Sequence, residues 1–271
     1  MKKLFTSMLA ASMVVSAFGI SALAAESGTA YGEVPATSES ISIDGEKDEI
    51  YDQGLKIAIE DPDSSTPDDP TTGEAWLLWN GSDTLYAYVE VKDSDVIVYD
   101  GTPNAWETDS VELFLDYSNT VARTRDQYRI DIKGVATYYD TTTYTGDDTK
   151  AYGFEDWAVK ETDDGYAVEF EIKAYNESIS ADMNVGFHLM INNMVSAGTR
   201  GMVHSDPCGN SPENFGYITL SGDTVEIEVP EEPAVDEGGE QAAQTSDLGI
   251  AVAAVSLAAA SIALVALKKR K

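Results

Sequence analysis

The chain has 271 residues, of which 48 are acidic and 17 basic, giving a formal net charge of −31 at pH 7. Six of the basic residues lie at the two ends of the chain, so the part between them is more acidic still. This balance argues against nucleic acid and anionic membrane surfaces as partners. Cys208 is the single cysteine, which excludes an internal disulfide.

The first 25 residues have the pattern of a secretory signal peptide. Lys2 and Lys3 precede an apolar run, and Ala22-Leu23-Ala24 provides a small-x-small cleavage signal. We therefore expect residues 1–25 to be removed from a secreted protein. Residues 26–39 are interpreted as a polar lead-in to the domain that follows.

Residues 40–222 form one predicted domain, and its signals are almost all strands. Short segments alternate apolar with polar residues, and clusters of Asp, Gly, Ser, Thr and Pro separate them. No segment has the period of a long helix, so we predict an all-β fold, an antiparallel β-sandwich. The predicted strands are 40–43, 55–59, 74–80, 84–91, 110–116, 127–133, 136–140, 166–173, 184–191 and 217–220.

Alternation within these strands also divides their side chains between two faces. If the strands are sheet neighbours, five residues share one polar face: Glu112, Arg129, Glu169, Glu171 and His188. The outer face of a sandwich is often simply solvated, so this face predicts a site only where an aromatic ring overhangs it. Trp106 is the candidate for that ring, because it lies in a loop-like stretch just before the strand 110–116.

The C-terminal region predicts an anchor at the cell surface. Residues 223–247 are acidic, contain Pro and Gly, and have no apolar period, so they are interpreted as a linker. Residues 248–267 are 20 residues without a charge, about the length of a transmembrane helix. The basic tail 268–271 follows at once and is expected on the cytoplasmic side.

A second reading of this region stays open. The stretch "QTSDLG" (244–249), the apolar span and the basic tail together resemble the sorting signal of Gram-positive surface proteins, which a sortase cleaves after Thr. Ser246 replaces the usual Gly, and the leading Leu-Pro is missing. The sequence thus predicts attachment either to the cell wall through a sortase or to the plasma membrane.

Seven segments follow one another in the predicted domain: "SIDGEKDEIYD" (42–52), "WLLWNGSDTLYAYVEVKD" (76–93), "WETDSVELFLD" (106–116), "DQYRIDIKG" (126–134), "DDGYAVEFEI" (163–172), "GFHLMINN" (186–193) and "FGYITL" (215–220). In this order and spacing they resemble carbohydrate-binding module family 9, within the DOMON-like superfamily of β-sandwiches. The resemblance covers essentially all of 40–222. It implies a sugar-binding module that is not an enzyme.

The resemblance also implies a site. Family members hold a terminal sugar of plant cell-wall glycans, of the xylan or cellulose type, between two tryptophans. Carried over, Trp106 is one wall of this slot, and Glu112 and Arg129 are the hydrogen-bonding pair beneath it. His204 stands in the segment 199–210 where the second tryptophan is usual, and imidazole buries less area than indole, so we expect weakened or altered sugar binding.

The chemistry of a pyranose fits the same residues independently of the resemblance. Its C–H-rich faces stack on an aromatic ring such as that of Trp106, and its hydroxyl edges need fixed polar partners. The carboxylate of Glu112 and the guanidinium of Arg129 offer charge-assisted hydrogen bonds to those hydroxyls.

Calcium is a further implication of the resemblance, as a structural ion. The oxygen-rich loops 60–69, 92–95 and 145–148 offer hard ligands, although none has the spacing of an EF-hand. The sequence does not locate a metal site.

Two other functions remain open. Some DOMON-like sandwiches bind haem for electron transfer, which needs axial ligands, and the candidates are His188, His204, Met190 and Met202. A glycoside hydrolase needs two carboxyl groups at a defined separation, and the many acidic residues identify no such pair.

Overall fold

The structure is a computed structural model, and it describes residues 28–63, 71–98, 106–118, 126–196, 198–207 and 214–227. These residues belong to the first of the two units into which the chain divides, Met1–Glu228 and Val229–Lys271. They form fourteen strands and two short 3-10 helices, Glu49–Gln53 and Gly146–Tyr152, which confirms the all-β prediction. The strands are β1 (Ala30–Thr37), β2 (Leu55–Ile59), β3 (Asp61–Pro62), β4 (Thr72–Trp79), β5 (Thr84–Lys92), β6 (Ser110–Asp116), β7 (Asp126–Asp131), β8 (Ala136–Tyr139), β9 (Thr143–Thr145), β10 (Phe154–Thr162), β11 (Gly165–Lys173), β12 (Asn184–Ser196), β13 (Thr199–His204) and β14 (Gly216–Val225).

Hydrogen bonds join all these strands into one curled sheet. Its order is β10-β11-β5-β4-β1-β14-β12-β6-β7-β8-β9, with β2 beside β4, β13 beside β12 and β3 beside β13. Strand β1 runs parallel to both of its neighbours, β14 and β4, whereas the other pairs are antiparallel. The prediction of a wholly antiparallel sandwich was therefore wrong in this respect, because the sheet is mixed.

One main hydrophobic core fills the inside of the curl. Strand β6 contributes Val111, Leu113 and Leu115, and the facing half of the sheet contributes Val89 and Phe170, all of them fully buried. The period-2 pattern predicted this inward set. Truncating one such residue, for example Leu113→Ala, is expected to cost about 2–5 kcal/mol.

Strand β1 corrects the interpretation of residues 26–39 as a lead-in. Val34, Ala36 and Thr37 are buried where β1 lies between β14 and β4. The register shifts on either side of Tyr31 and of Pro35, and such bulges interrupt the alternation that identifies a strand.

Other boundaries also differ from the predictions. Residues 40–43 are not a strand, whereas β10 and β13 are strands that the sequence analysis did not predict. Strand β14 extends to Val225, which lies within the predicted linker 223–247.

The predicted polar face is divided between two surfaces. Glu112, Arg129 and His188 lie on neighbouring strands β6, β7 and β12, on what we call the β6–β7–β12 face. Glu169 and Glu171 lie on β11, which pairs with β5 and β10 in the other half of the sheet. The expectation that all five share one face was wrong, because alternation assigns a side chain to a face but does not identify the neighbouring strands.

Several predictions fall on residues that the structure does not describe. These are the signal peptide 1–25, the linker beyond residue 227, the apolar span 248–267, the tail 268–271 and Cys208. Within the described ranges, no helix is long and apolar enough to cross a membrane.

Candidate functional site

The candidate site is built on the register of three strands. Glu112 on β6 pairs with Arg129 on β7 on one side and with Met190 on β12 on the other. Directly paired residues project to the same side of a sheet, so their side chains share the β6–β7–β12 face. Glu112 and Arg129 are only 2% and 5% exposed.

The carboxylate of Glu112 is the centre of a buried hydrogen-bond network. Its Oε1 accepts from Arg129 Nε at 2.7 Å and from Asn192 Nδ2 at 2.7 Å, and its Oε2 accepts from Gln127 Nε2. Asn192 Nδ2 also donates to Ser110 Oγ at 3.1 Å. Burial of a charged pair is expensive unless both ions are hydrogen-bonded, and this network meets that requirement.

Trp106 lies above this network and is the exposed member of the group. Its side chain is 43% exposed, and the Arg129 guanidinium carbon lies 6.0 Å from its ring centroid. A large exposed ring beside a guanidinium is a cation–π contact that leaves much of the indole open to a ligand. The structure thus brings together Trp106, Glu112 and Arg129, as predicted.

Unused hydrogen-bonding groups remain in the network. Arg129 has five N–H donors, and among the described residues only Nε has an acceptor. Asn192 Oδ1 is buried and has no partner within the described part of the chain. A carboxylate accepts about four hydrogen bonds, and Glu112 has three, so this network can still bind a ligand that carries both donors and acceptors.

Arg200 on β13 is a second cation near the same network. Burial lowers the pKa of its guanidinium, and the nearby Glu112 carboxylate opposes that change more strongly than Arg129 adds to it. Its Nη2 donates to Met202 Sδ at 3.3 Å, and it has no ion pair with a carboxylate in the described ranges. This half-buried guanidinium, which has no carboxylate partner among the described residues, leaves further donors beside the site.

Asp109 fixes the backbone between Trp106 and β6. Its Oδ1 accepts from the Met194 amide at 2.6 Å, its Oδ2 accepts from the Ile97 amide, and its carbonyl accepts from the Ile132 amide at 2.9 Å. The residue is fully buried, and this burial raises the pKa of its carboxyl to about 7. These bonds tie three neighbouring segments to the base of the Trp106 loop.

His204 does not form a second wall of an open slot in this structure. It is 2% exposed and lies at the end of β13, and its Nδ1 is 3.0 Å from His188 Nε2. Burial, and secondly the neighbouring His188, lower the pKa of His204 to about 4. The residue lies two strands from Glu112, with Met190 between them, so a direct sugar contact from His204 remains a prediction.

The other three tryptophans do not supply the second wall either. Trp79 lies in the main core with its Nε1 donating to the Ser221 carbonyl at 2.9 Å. Trp157 packs against Phe154 and donates to the Gly134 carbonyl at 3.0 Å. Trp76 packs with Tyr88 in a separate cluster on the outside of β4 and β5.

The geometry does not favour the haem alternative. His188 and His204 bond directly to each other, with ring centroids 5.2 Å apart, and this is too close for a haem iron between the two rings. For the implied calcium, no group of three or more His, Cys, Asp or Glu suited to a metal occurs in the described ranges.

An all-β domain with an exposed indole over a buried carboxylate–guanidinium pair has the features of a module that binds small polar ligands. Comparison with known families identifies the class more closely, because the model described as "Carbohydrate family 9 binding domain-like" matches residues 43–223. The chain belongs to this carbohydrate-binding family. The resemblance found in the sequence is confirmed at the level of the family.

Solved structures of the family agree with the fold. The chain resembles a carbohydrate binding module family 9 from Caldicellulosiruptor kristjanssonii in complex with cellotriose, with a TM-score of 0.56 and 26% identity over 74% of this chain and 100% of that one. A second structure of such a module from the same organism, in complex with glucose, gives a TM-score of 0.55 at 25% identity, covering 73% of this chain and 100% of that one.

Curated relatives are much longer enzymes. The chain is 31% identical over 183 residues to endo-1,4-beta-xylanase A of Thermotoga neapolitana, covering 66% of this chain and 17% of the xylanase. It is 31% identical over 189 residues to exoglucanase XynX of Acetivibrio thermocellus, covering 66% of this chain and 16% of the exoglucanase. The chain thus spans about a sixth of the length of these relatives.

Three residues of the network, and Arg200 near it, were not among the predicted site residues; the three are Ser110, Gln127 and Asn192. Ser110 lies two residues before Glu112 on β6, and Gln127 lies two residues before Arg129 on β7. This period of two was the sequence signal that could have identified both. Asn192 was missed because the predicted strand ended at 191, whereas β12 continues to Ser196.

Proposed function

We propose that this chain is a non-catalytic, surface-displayed module that binds a terminal sugar of cellulose- or xylan-type glycans at Trp106. The observation that carries this proposal is the exposed indole above the Arg129–Glu112 pair. In this site one face of a pyranose stacks on Trp106, and hydroxyls at its edge bond to the unused donors of Arg129.

A neutral sugar fits the charges of the site. Glu112 balances Arg129, and the chain as a whole is strongly acidic, so a polyanionic glycan gains little from long-range attraction. The relatives support the ligand class, because the neighbouring modules were solved with cellotriose and glucose. With a single indole wall in the described structure, we expect binding weaker than a site with two stacked rings gives.

The test is isothermal titration of the full-length chain with cellobiose, xylobiose and glucose, in a detergent without a sugar headgroup. We expect saturable heat, from which an affinity is obtained. Trp106→Ala should lower this affinity at least tenfold, and Trp106→Phe should lower it less, because a smaller ring keeps part of the platform. Val135→Ala is the matched control, since Val135 is similarly exposed at 40%. Absence of heat from folded protein with every sugar would overturn the proposal, and release of sugar from xylan would indicate a hydrolase instead.

Comparison of each sugar with its borohydride-reduced form tests whether a terminal reducing end is recognised. Reduction opens only the ring at the reducing end, so a site that stacks that ring loses its ligand, whereas a site for internal rings or for the non-reducing end keeps it. Equal heats for cellotriose and its reduced form would contradict recognition of the reducing end.

Display at the cell surface is part of the proposal. Export is supported by the signal peptide 1–25, and retention at the surface is supported by the linker 223–247 and the apolar span 248–267. In this proposal the exported domain is a DOMON-like sandwich. Mass spectrometry of the mature protein distinguishes the two anchors: loss of residues 246–271 supports sortase attachment to the wall, and retention of 248–271 supports the membrane.

Structural calcium is proposed without a location. Chelation by EDTA followed by thermal melting tests it: a lower melting temperature that calcium restores supports the ion. An unchanged melting curve would remove calcium from the account.

A further inference from the structure

A cavity lies at the end of the fold opposite to Trp106, between the turn that joins β4 to β5 and the segment that follows β11. Its volume is about 460 Å³, which is within the usual range for small-molecule sites. Six of the residues lining it are Ser82, Asp83, Tyr175, Asn176, Glu177 and Ser178. The lining combines one aromatic ring with carboxylates, an amide and hydroxyls, the same types of group that a pyranose needs.

The ring of Tyr175 is held in a fixed position. Its hydroxyl lies 2.6 Å from that of Tyr138, which in turn donates to Asp126 Oδ1 at 2.7 Å. Its ring makes edge contacts with Tyr138 and Tyr152, at centroid distances of 6.1 and 5.7 Å and interplanar angles of 90° and 82°. A platform held in this way loses little conformational entropy when a ligand stacks on it.

The polar side of the cavity is also preorganised. Asp83 accepts from Asn80 Nδ2 at 3.2 Å and from Thr84 Oγ1 at 3.0 Å, and Lys173 Nζ lies 3.3 Å from its other oxygen. Its carboxylate is still 42% exposed. Two carboxylates at the cavity, Asp83 and Glu177, disfavour an anionic ligand, whereas every hydroxyl of a neutral sugar can donate to them.

We propose that this cavity, around Tyr175 and Asp83, is a second binding site for a neutral pyranose of the same glycan. The proposal rests on the proposed function for the choice of ligand, but not on the site at Trp106. The two sites lie at opposite ends of β6: Trp106 precedes Ser110, whereas Asp126, which bonds to Tyr138, pairs with Leu115. Ser110 and Leu115 are about 17 Å apart at the usual rise of a strand.

Two weak sites on one polysaccharide strengthen retention, because the second binding event becomes intramolecular. A single sugar unit cannot use both sites at this separation. The second site therefore acts on long glycans and leaves the affinity for glucose at Trp106 unchanged.

The experiment is a titration of the isotope-labelled full-length chain with cellohexaose and xylohexaose, followed by amide chemical shifts. We expect saturable shifts at residues 82–84 and 174–179, and these should persist in Trp106→Ala. Ser178→Trp fills the cavity without altering the tyrosine contacts, and it should abolish these shifts and reduce retention in gels containing soluble xylan about tenfold. Ser180→Trp, an exposed change outside the cavity lining, is the matched control.

The outcomes separate the two proposals. Shifts around the cavity with none at Trp106 or Arg129 would support the second site and overturn the site at Trp106. Shifts confined to Trp106 and its neighbours, with retention unchanged in Ser178→Trp, would overturn the second site alone.

Discussion

Two regions of this molecule combine the same groups and differ in what those groups can do. On the β6–β7–β12 face, Glu112 is buried in hydrogen bonds and Trp106 lies near a cation, Arg129. Outside β4, β5 and β11, Glu169 is equally buried, and Trp76 lies near a cation, with Lys47 Nζ at 3.9 Å from its ring centroid. Sequence composition does not distinguish these two regions.

The hydrogen-bond partners distinguish them. Glu169 accepts from the Asp44 and Gly45 amides, each at 3.0 Å, and from Tyr51 Oη at 3.0 Å, so it ties the 44–45 turn and the first 3-10 helix to β11. Trp76 is only 8% exposed, whereas Trp106 is 43% exposed. A buried carboxylate with a nearby tryptophan is therefore structural when its partners are backbone amides and a buried hydroxyl and the indole ring is covered. The same pair can bind a ligand when its ring is open and its guanidinium has spare donors.

The largest expected effect separates the two tryptophans by stability. Trp76→Ala removes a buried ring from its cluster and is expected to lower the free energy of unfolding by about 3–5 kcal/mol. Trp106→Ala removes an exposed ring and should change it by no more than about 0.5 kcal/mol. Urea denaturation measures both, and similar costs for the two variants would contradict the distinction.

A second comparison concerns the partners of Glu112. Arg129→Ala leaves a buried carboxylate without its guanidinium and is expected to cost about 3 kcal/mol of stability, together with sugar binding. Arg129→Lys keeps the charge but not the planar fork, so it should retain more stability and still lose binding at least tenfold. If Arg129→Lys bound cellobiose like the wild type, Arg129 would not be a ligand contact.

The buried carboxyls of both regions predict an unusual dependence of stability on pH. Burial raises the pKa of Glu169 and that of Asp109 to about 7. Because the folded protein holds these protons more tightly than the unfolded chain, each contribution to stability is lost as pH rises from about 4.5 through about 7. Measured against Glu169→Gln by urea denaturation, the wild type should lose relative stability over this range, and a constant difference would contradict a raised pKa.

His204 is expected to act in the opposite direction. Its pKa is lowered to about 4 by burial and by His188, so the unfolded chain binds its proton first as the pH falls. The contribution of His204 to stability is therefore lost as pH decreases from about 6.5 towards 4. Relative to His204→Gln, the wild type should lose stability on acidification in this window, and no change in the difference would indicate an ordinary pKa.

Much of the fold and part of the site follow from the sequence, and the reasons differ by element. Strands such as β6 and β11 were predicted nearly to the residue, because their alternation is regular and both ends carry turn residues. Strand β1 was missed because its irregular register, around Tyr31 and Pro35, hides the period and because no local signal indicates a parallel partner. Long-range pairing is also the reason that Glu169 was assigned to the wrong face.

For the site, the sequence identified Trp106, Glu112 and Arg129, since a loop aromatic and alternating charged residues are local features. It could not place Asn192 and Arg200 beside Glu112, because their proximity depends on β12 and β13 pairing beside β6. Nor could it show that His204 is buried, since that depends on its contact with His188.

The most direct test of the central claim is a titration with cellobiose that follows the side-chain signals of Trp106 Nε1–H and the Arg129 guanidinium by nuclear magnetic resonance. The account predicts that both signals shift together with one saturating affinity, while the indole signal of Trp76 stays constant. If the Trp106 and Arg129 signals do not move at saturating sugar, the exposed indole over the Arg129–Glu112 pair is not the carbohydrate site.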